Sequence, residues 1–103
     1  MWYRPTHNLD KSHDGQTITV NQGDIILIKL EHSSVDRWGF PWPAKYTGNT
    51  CWFYGSNSCG SNEDVLQFYA RSTGTEVIDL QLKQTPGNGN GVIRTYQVTI
   101  NVN

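Results

Sequence analysis

Residues 78–83 read Ile-Asp-Leu-Gln-Leu-Lys, and residues 95–102 read Thr-Tyr-Gln-Val-Thr-Ile-Asn-Val. In both segments apolar and polar side chains alternate, and an extended chain with this pattern has its apolar side chains on one face. The segment between them, residues 84–91, is rich in Gly and Asn and contains one Pro. The pattern predicts two half-buried antiparallel strands joined as a long hairpin.

Shorter segments of the same kind precede this hairpin. Residues 16–20 alternate Thr with Ile and Val, an Asn-Gln-Gly turn follows, and residues 24–30 place three aliphatic side chains on one face. Residues 64–71 are partly apolar on both faces, so the pattern does not determine which face points inward. About six or seven short strands with Gly-rich connections predict an all-β, immunoglobulin-like antiparallel β-sandwich. The predicted inward-facing residues are Ile26, Ile28, Leu30, Trp42, Ile78, Leu80, Leu82, Tyr96, Val98 and Ile100.

Length and charge limit the domain organisation and the partners. The chain has 103 residues, enough for one core, so we assign residues 14–103 to a single domain and residues 1–13 to an N-terminal extension. The net charge is −1 without a cluster of Lys and Arg, which argues against nucleic acid as a partner. The longest apolar run is only Ile25 to Ile28, far short of the ~20 residues of a membrane span. We expect a soluble monomer that binds neither nucleic acid nor membrane.

The two cysteines, Cys51 and Cys59, lie in a stretch rich in Gly, Ser and Asn. They are either paired as a disulfide or present as two thiols, and the sequence favours the disulfide. Because disulfides persist outside the reducing cytosol, this pairing predicts an extracellular or periplasmic protein. Neither cysteine has a nearby His or the paired spacing of a zinc site, so we expect no metal and no cofactor.

The alternation breaks down between residues 31 and 63, where three tryptophans occur. We expect Trp42 and Trp52 to help fill the core, as a strand-borne Trp does in many sandwiches. Trp38 stands between Arg37 and Gly39 in a predicted loop. Because Trp is enriched at binding hot spots, an exposed loop Trp is a candidate for partner binding.

Five segments occur in an order that resembles a known family. They are residues 14–20 (Asp-Gly-Gln-Thr-Ile-Thr-Val), Gly23-Asp24 before an apolar strand, residues 39–42 (Gly-Phe-Pro-Trp), residues 74–80 (Gly-Thr-Glu-Val-Ile-Asp-Leu) and residues 94–100 (Arg-Thr-Tyr-Gln-Val-Thr-Ile). Over residues 13–103 the chain is similar to the chagasin-like inhibitors of papain-like cysteine peptidases. The resemblance implies an immunoglobulin-like sandwich that inserts three loops from one end into the peptidase's active-site cleft and catalyses no reaction.

The resemblance also implies which residues bind the partner. They are Ser33, Ser34, Val35, Asp36, Arg37, Trp38 and Gly39 in the first loop, Gly60, Ser61 and Asn62 in the second, and Gln84, Thr85 and Pro86 in the third. The family's usual loop motifs are Asn-Pro-Thr-Thr-Gly, Gly-x-Gly-Gly and Arg-Pro-Trp. Here the first loop keeps only its Gly, the second keeps one Gly, and the third lacks the Trp. Trp38 would then supply the aromatic anchor from a different loop.

Two function hypotheses follow from the sequence. The first is a proteinaceous inhibitor of papain-like cysteine peptidases. The second is a non-catalytic binding module for carbohydrate or a cell-surface protein, with Trp38 as a flat apolar face. Catalysis has little support, because the three His are scattered over the first third of the chain and no nucleophile–base spacing is evident.

Overall fold

The computed structural model describes residues 6–32, 36–40, 48, 50–58, 62–84 and 92–103. Within these ranges the chain forms eight strands and one short 3-10 turn. The strands are β1 (His7–Leu9), β2 (Thr17–Val20), β3 (Ile25–Glu31), β4 (Asp36–Gly39), β5 (Cys51–Ser58), β6 (Glu63–Ala70), β7 (Gly74–Gln84) and β8 (Val92–Val102), and the turn is Lys11–His13. No helix in the described part of the chain is long and apolar enough to span a membrane.

The strands form two four-stranded sheets that pack as a sandwich, which confirms the predicted all-β architecture. The first sheet has the order β1-β3-β6-β5 and the second the order β2-β8-β7-β4. The sheets are mixed rather than purely antiparallel, because β1 runs parallel to β3 and β2 runs parallel to β8. The reason is the path of the chain. β2 follows β1 in sequence, runs in the opposite direction and belongs to the second sheet. β1 and β3 therefore run in the same direction and lie side by side in the first sheet.

The core consists of the inward faces predicted from the alternation. The predicted inward-facing aliphatic residues and the ring of Tyr96 are buried; the aliphatic ones are Ile26, Ile28, Leu30, Ile78, Leu80, Leu82, Val98 and Ile100. Trp42, the remaining member of the predicted set, lies outside the described residues. The inward face of β6, left open by the sequence, carries Leu66, Phe68 and Ala70.

The segment that the sequence analysis set apart as an N-terminal extension contributes to the sandwich. β1 pairs with β3, and Leu9 is buried in the core with 5% of its surface exposed. The Tyr96 hydroxyl donates a hydrogen bond to the Asp10 carbonyl oxygen at 3.0 Å. A three-residue strand has too short an alternation to be recognised from sequence.

The predicted Cys51–Cys59 disulfide is wrong, because the stretch that was expected to bend is an extended strand. Cys51 is the first residue of β5 and Ser58 is the last, eight residues in all. At ~3.3 Å per residue the two ends are roughly 23 Å apart, whereas a disulfide needs Cα atoms within ~7 Å. Cys59 itself lies outside the described residues, but it is bonded directly to Ser58. The extracellular or periplasmic location rested on this bridge and stays a prediction.

Trp52 does not enter the core, contrary to the expectation from sequence. It lies opposite Tyr69 on the outward face of the first sheet, and 48% of its surface is exposed. The Arg71 guanidinium lies 4.7 Å from the centre of its ring. The alternation of β5 places its neighbour Cys51 inward instead.

Candidate functional site

The flanks of three connections lie at one end of the sandwich, which we call the rim. The connections are residues 32–35 between β3 and β4, residues 59–62 between β5 and β6, and residues 85–91 between β7 and β8. Strand register places these flanks together: Glu31 pairs with Glu63, Ser58 with Asp64, and Asp36 with Gln84. The His32 amide donates to the Asn62 carbonyl oxygen at 2.8 Å and joins the first connection to the second.

Six of the thirteen predicted binding residues lie within the described part of the chain, on this rim or on its flanks. The described ones are Asp36, Arg37, Trp38 and Gly39 in β4, Asn62 before β6, and Gln84 at the end of β7. Seven others lie outside the described residues: Ser33, Ser34, Val35, Gly60, Ser61, Thr85 and Pro86. The structure therefore brings the flanks of all three predicted loops to the same end, as expected for a sandwich.

The first predicted loop is shorter than expected, because residues 36–39 form a strand. β4 pairs with the end of β7, with Trp38 opposite Leu82. Since Leu82 faces the core, its partner in register also faces inward. The spacing of Trp38 and Phe40, two residues apart, is the sequence signal that could have indicated this strand, and both side chains pack against the core.

Trp38 is anchored beneath the rim rather than presented on it. Its ring is half-buried and meets Tyr96 edge-on, with the ring centres 6.4 Å apart. The indole N–H donates to the Glu31 carbonyl oxygen at 2.9 Å. The interpretation of Trp38 as a free loop aromatic does not agree with this placement, because one face of the ring is used in packing.

Asp64 connects the two sheets directly below the rim. Its side chain is 7% exposed, and Arg37 Nη1 donates to its Oδ1 at 3.0 Å. The Trp38 amide donates to its Oδ2 at 3.0 Å, and His32 Nε2 lies 3.3 Å from Oδ1. The sequence analysis missed this residue. The sequence signal that could have indicated it is its position two residues before Leu66, which places an acidic side chain on the inward face of β6.

The described side chains do not form a catalytic or metal-binding arrangement. Cys51 lies at the end opposite the rim, where burial, followed by the charge of Glu76, raises the pKa of its thiol to about 12. His7 pairs with Asp24 at 2.8 Å, and His13 belongs to the 3-10 turn. Among the described residues no group of three or more His, Cys, Asp or Glu comes together.

Comparisons with known proteins identify similar solved structures. A crystal structure of the cysteine protease inhibitor EhICP2 from Entamoeba histolytica matches with a TM-score of 0.73 and 18% identity, covering 97% of this chain and 100% of that chain. A solution structure of amebosin matches with a TM-score of 0.70, also at 18% identity and over the same shares of both chains. No protein-family model and no curated protein matches the sequence. At this identity the likeness shows the fold, which agrees with the sandwich implied by the resemblance.

Proposed function

We propose that this protein is a non-catalytic inhibitor of papain-like cysteine peptidases, which binds as a monomer and occludes the active-site cleft with its rim. The observation that carries the proposal is the convergence of three connections at one end of the sandwich, tied together beneath by Asp64. A sandwich of the same fold is named as a cysteine protease inhibitor. Its likeness extends over nearly the whole of both chains.

Occlusion of a cleft requires a projecting surface that is already ordered. The flanks of the first two connections are joined by the His32–Asn62 backbone hydrogen bond, and those of the first and third by the pairing of β4 with β7. Loops that are held in place before binding lose less conformational entropy on association, so more of the contact energy appears as affinity. Such binding needs no nucleophile, metal or cofactor.

The carbohydrate-binding alternative loses its main support from the position of Trp38. A sugar-stacking platform needs an open aromatic face, whereas the Trp38 ring is partly buried against the core, contacts Tyr96 and donates its N–H to the Glu31 carbonyl oxygen. Arg37, by contrast, is 54% exposed at the same edge and is accessible to a protein partner. These positions favour a protein as the partner.

The proposal is tested by measuring the residual activity of papain as the purified protein is added. We expect stoichiometric loss of activity, with no effect on a serine or an aspartic peptidase. Absence of inhibition up to high micromolar concentration would contradict the proposal.

A pair of variants locates the surface responsible. Asn62 is exposed at the rim, so Asn62→Arg places a bulky charge in the interface and should weaken inhibition at least ~tenfold, equivalent to ~1.4 kcal/mol. Thr19 is exposed on β2, and Thr19→Arg is the matched control away from the rim connections. Equal effects of the two substitutions would place the binding surface elsewhere.

A further inference from the structure

The Asp64 carboxylate lies where the flanks of the first two rim connections meet. Its backbone is fixed on both sides, because β6 lies between β3 and β5 and Asp64 is in register with Leu30 on one side and Ser58 on the other. The side chain points across to the second sheet, where it accepts hydrogen bonds from Arg37 and from the Trp38 amide. Asp64 is thus a fixed acceptor in one sheet for donors in the other.

The segment that Asp64 holds is short and lies at the edge of its sheet. β4 is a four-residue edge strand, and in the described part of the chain it pairs only with β7. It begins directly after residues 33–35, so its position sets where the first connection ends. Its first residue, Asp36, lies opposite Gln84, the last residue before the third connection. A shift of β4 would therefore change the position of the end of the first connection relative to the start of the third.

The second connection is linked to the same group. Asn62 lies two residues before Asp64, and its carbonyl oxygen accepts the hydrogen bond from the His32 amide. The His32 imidazole is 2% exposed and lies against Asp64 Oδ1 at 3.3 Å. The buried carboxylate therefore contacts His32 at the start of the first connection and Arg37 and Trp38 after its end, and His32 in turn joins the end of the second connection.

We infer that Asp64 is the positioning residue of the rim: acting through Arg37 and the Trp38 amide, it holds the flanks of the three connections in one arrangement before the peptidase binds. This inference rests on the proposed inhibitory function. It identifies Asp64 as the residue that keeps the flanks of the rim connections ordered. Asp64 is 7% exposed, and its effect on affinity is exerted through the residues that it holds.

The test compares Asp64→Asn with a matched substitution at the far end. Glu76 makes an equivalent bridge between the sheets, because its Oε1 accepts the Thr50 amide at 2.7 Å and the Cys51 amide at 3.0 Å. Both Asp64→Asn and Glu76→Gln remove a charge from a bridging carboxylate and keep its shape. We expect Asp64→Asn to raise the inhibition constant for papain at least ~tenfold, and Glu76→Gln to change it less than ~twofold. Equal changes would overturn the inference.

A double-mutant cycle tests whether Asp64 acts through Arg37. If it does, Arg37→Gln and Asp64→Asn remove the same interaction. The inhibition constant of the double variant should then equal that of the single variant that inhibits less well. If the two effects on the inhibition constant multiply, Arg37 contributes independently of Asp64 and the inferred route is wrong.

Amide hydrogen exchange in the unbound protein separates this inference from the proposed function. Asp64→Asn should speed exchange at the His32 and Trp38 amides, whereas Glu76→Gln should leave both rates unchanged. Unchanged rates in Asp64→Asn would overturn the positioning role, even if the protein inhibits papain. Faster rates in a protein that does not inhibit papain would instead reject the proposed function and leave the positioning role in place.

Discussion

Replacing Trp38 with Ala should destabilise the fold, and the size of the effect follows from the contacts of the ring. Truncation of a fully buried Trp costs ~3 to 5 kcal/mol. Trp38 is only half-buried, but it also loses the edge-on contact with Tyr96 and the hydrogen bond to the Glu31 carbonyl. We therefore expect the unfolding free energy to fall by ~2 to 3 kcal/mol.

Urea unfolding followed by far-ultraviolet circular dichroism measures this loss. The chain has four Trp, so tryptophan fluorescence would change with the substitution itself. With an m-value of ~1.5 kcal/mol/M, the midpoint should fall by about 1.3 to 2 M. Trp38→Phe keeps a ring against Tyr96 and loses the indole N–H, so it should cost only ~1 kcal/mol.

The control is Trp52→Ala at the exposed tryptophan of β5. Trp52 is 48% exposed and its ring contacts the Arg71 guanidinium. This substitution should therefore lower the unfolding free energy by less than ~1 kcal/mol. Unchanged stability of Trp38→Ala together with lost inhibition would refute the packing interpretation and identify Trp38 as a binding residue on an open surface.

Three further outcomes are expected. Leu80→Ala should lower the unfolding free energy by ~2 to 5 kcal/mol in the same urea assay, because Leu80 is fully buried and leaves a cavity; a loss below ~1 kcal/mol would contradict the core described here. The Cys51 thiol should resist alkylation at pH 8 until the protein is unfolded, because burial raises its pKa to about 12, and peptide mass mapping after native alkylation checks this. The Asn21 amide, followed by His7, lowers the pKa of Asp24, so its ionised form stabilises the fold above the unfolded pKa of ~3.9 and this contribution is lost as pH falls through the lower folded value. The stability difference between wild type and Asp24→Asn should therefore shrink from pH ~6 to pH ~2, and a constant difference would argue against the assignment.

The sandwich could be predicted from sequence because its central strands are long and half-buried. β7 and β8 each have eleven residues, and their regular alternation determines both the element type and the inward face. β1 and β4 have three and four residues, too few for the alternation to stand out. Short edge strands are defined by what they pair with, and that information lies elsewhere in the chain.

The sequence indicated that the flanks of the three connections would lie at one end of the sandwich, and strand order places them there. The residues that bind a partner stay a prediction. The role of Asp64 depends on donors that are 26 and 27 residues away in sequence and lie in the other sheet, a relation without a local pattern. The disulfide error has a related cause, since Gly55 and its polar neighbours suggested a bend where pairing with β6 instead holds β5 extended.

The central claim is that the rim fills the active-site cleft, and the most direct test is to compare binding to open papain with binding to papain whose cleft is filled by a covalent, substrate-length blocker. The account predicts that blocking weakens affinity at least ~tenfold, equivalent to ~1.4 kcal/mol, and that soluble oligosaccharides have no effect. Equal affinity for open and blocked papain, or displacement by an oligosaccharide, would contradict it.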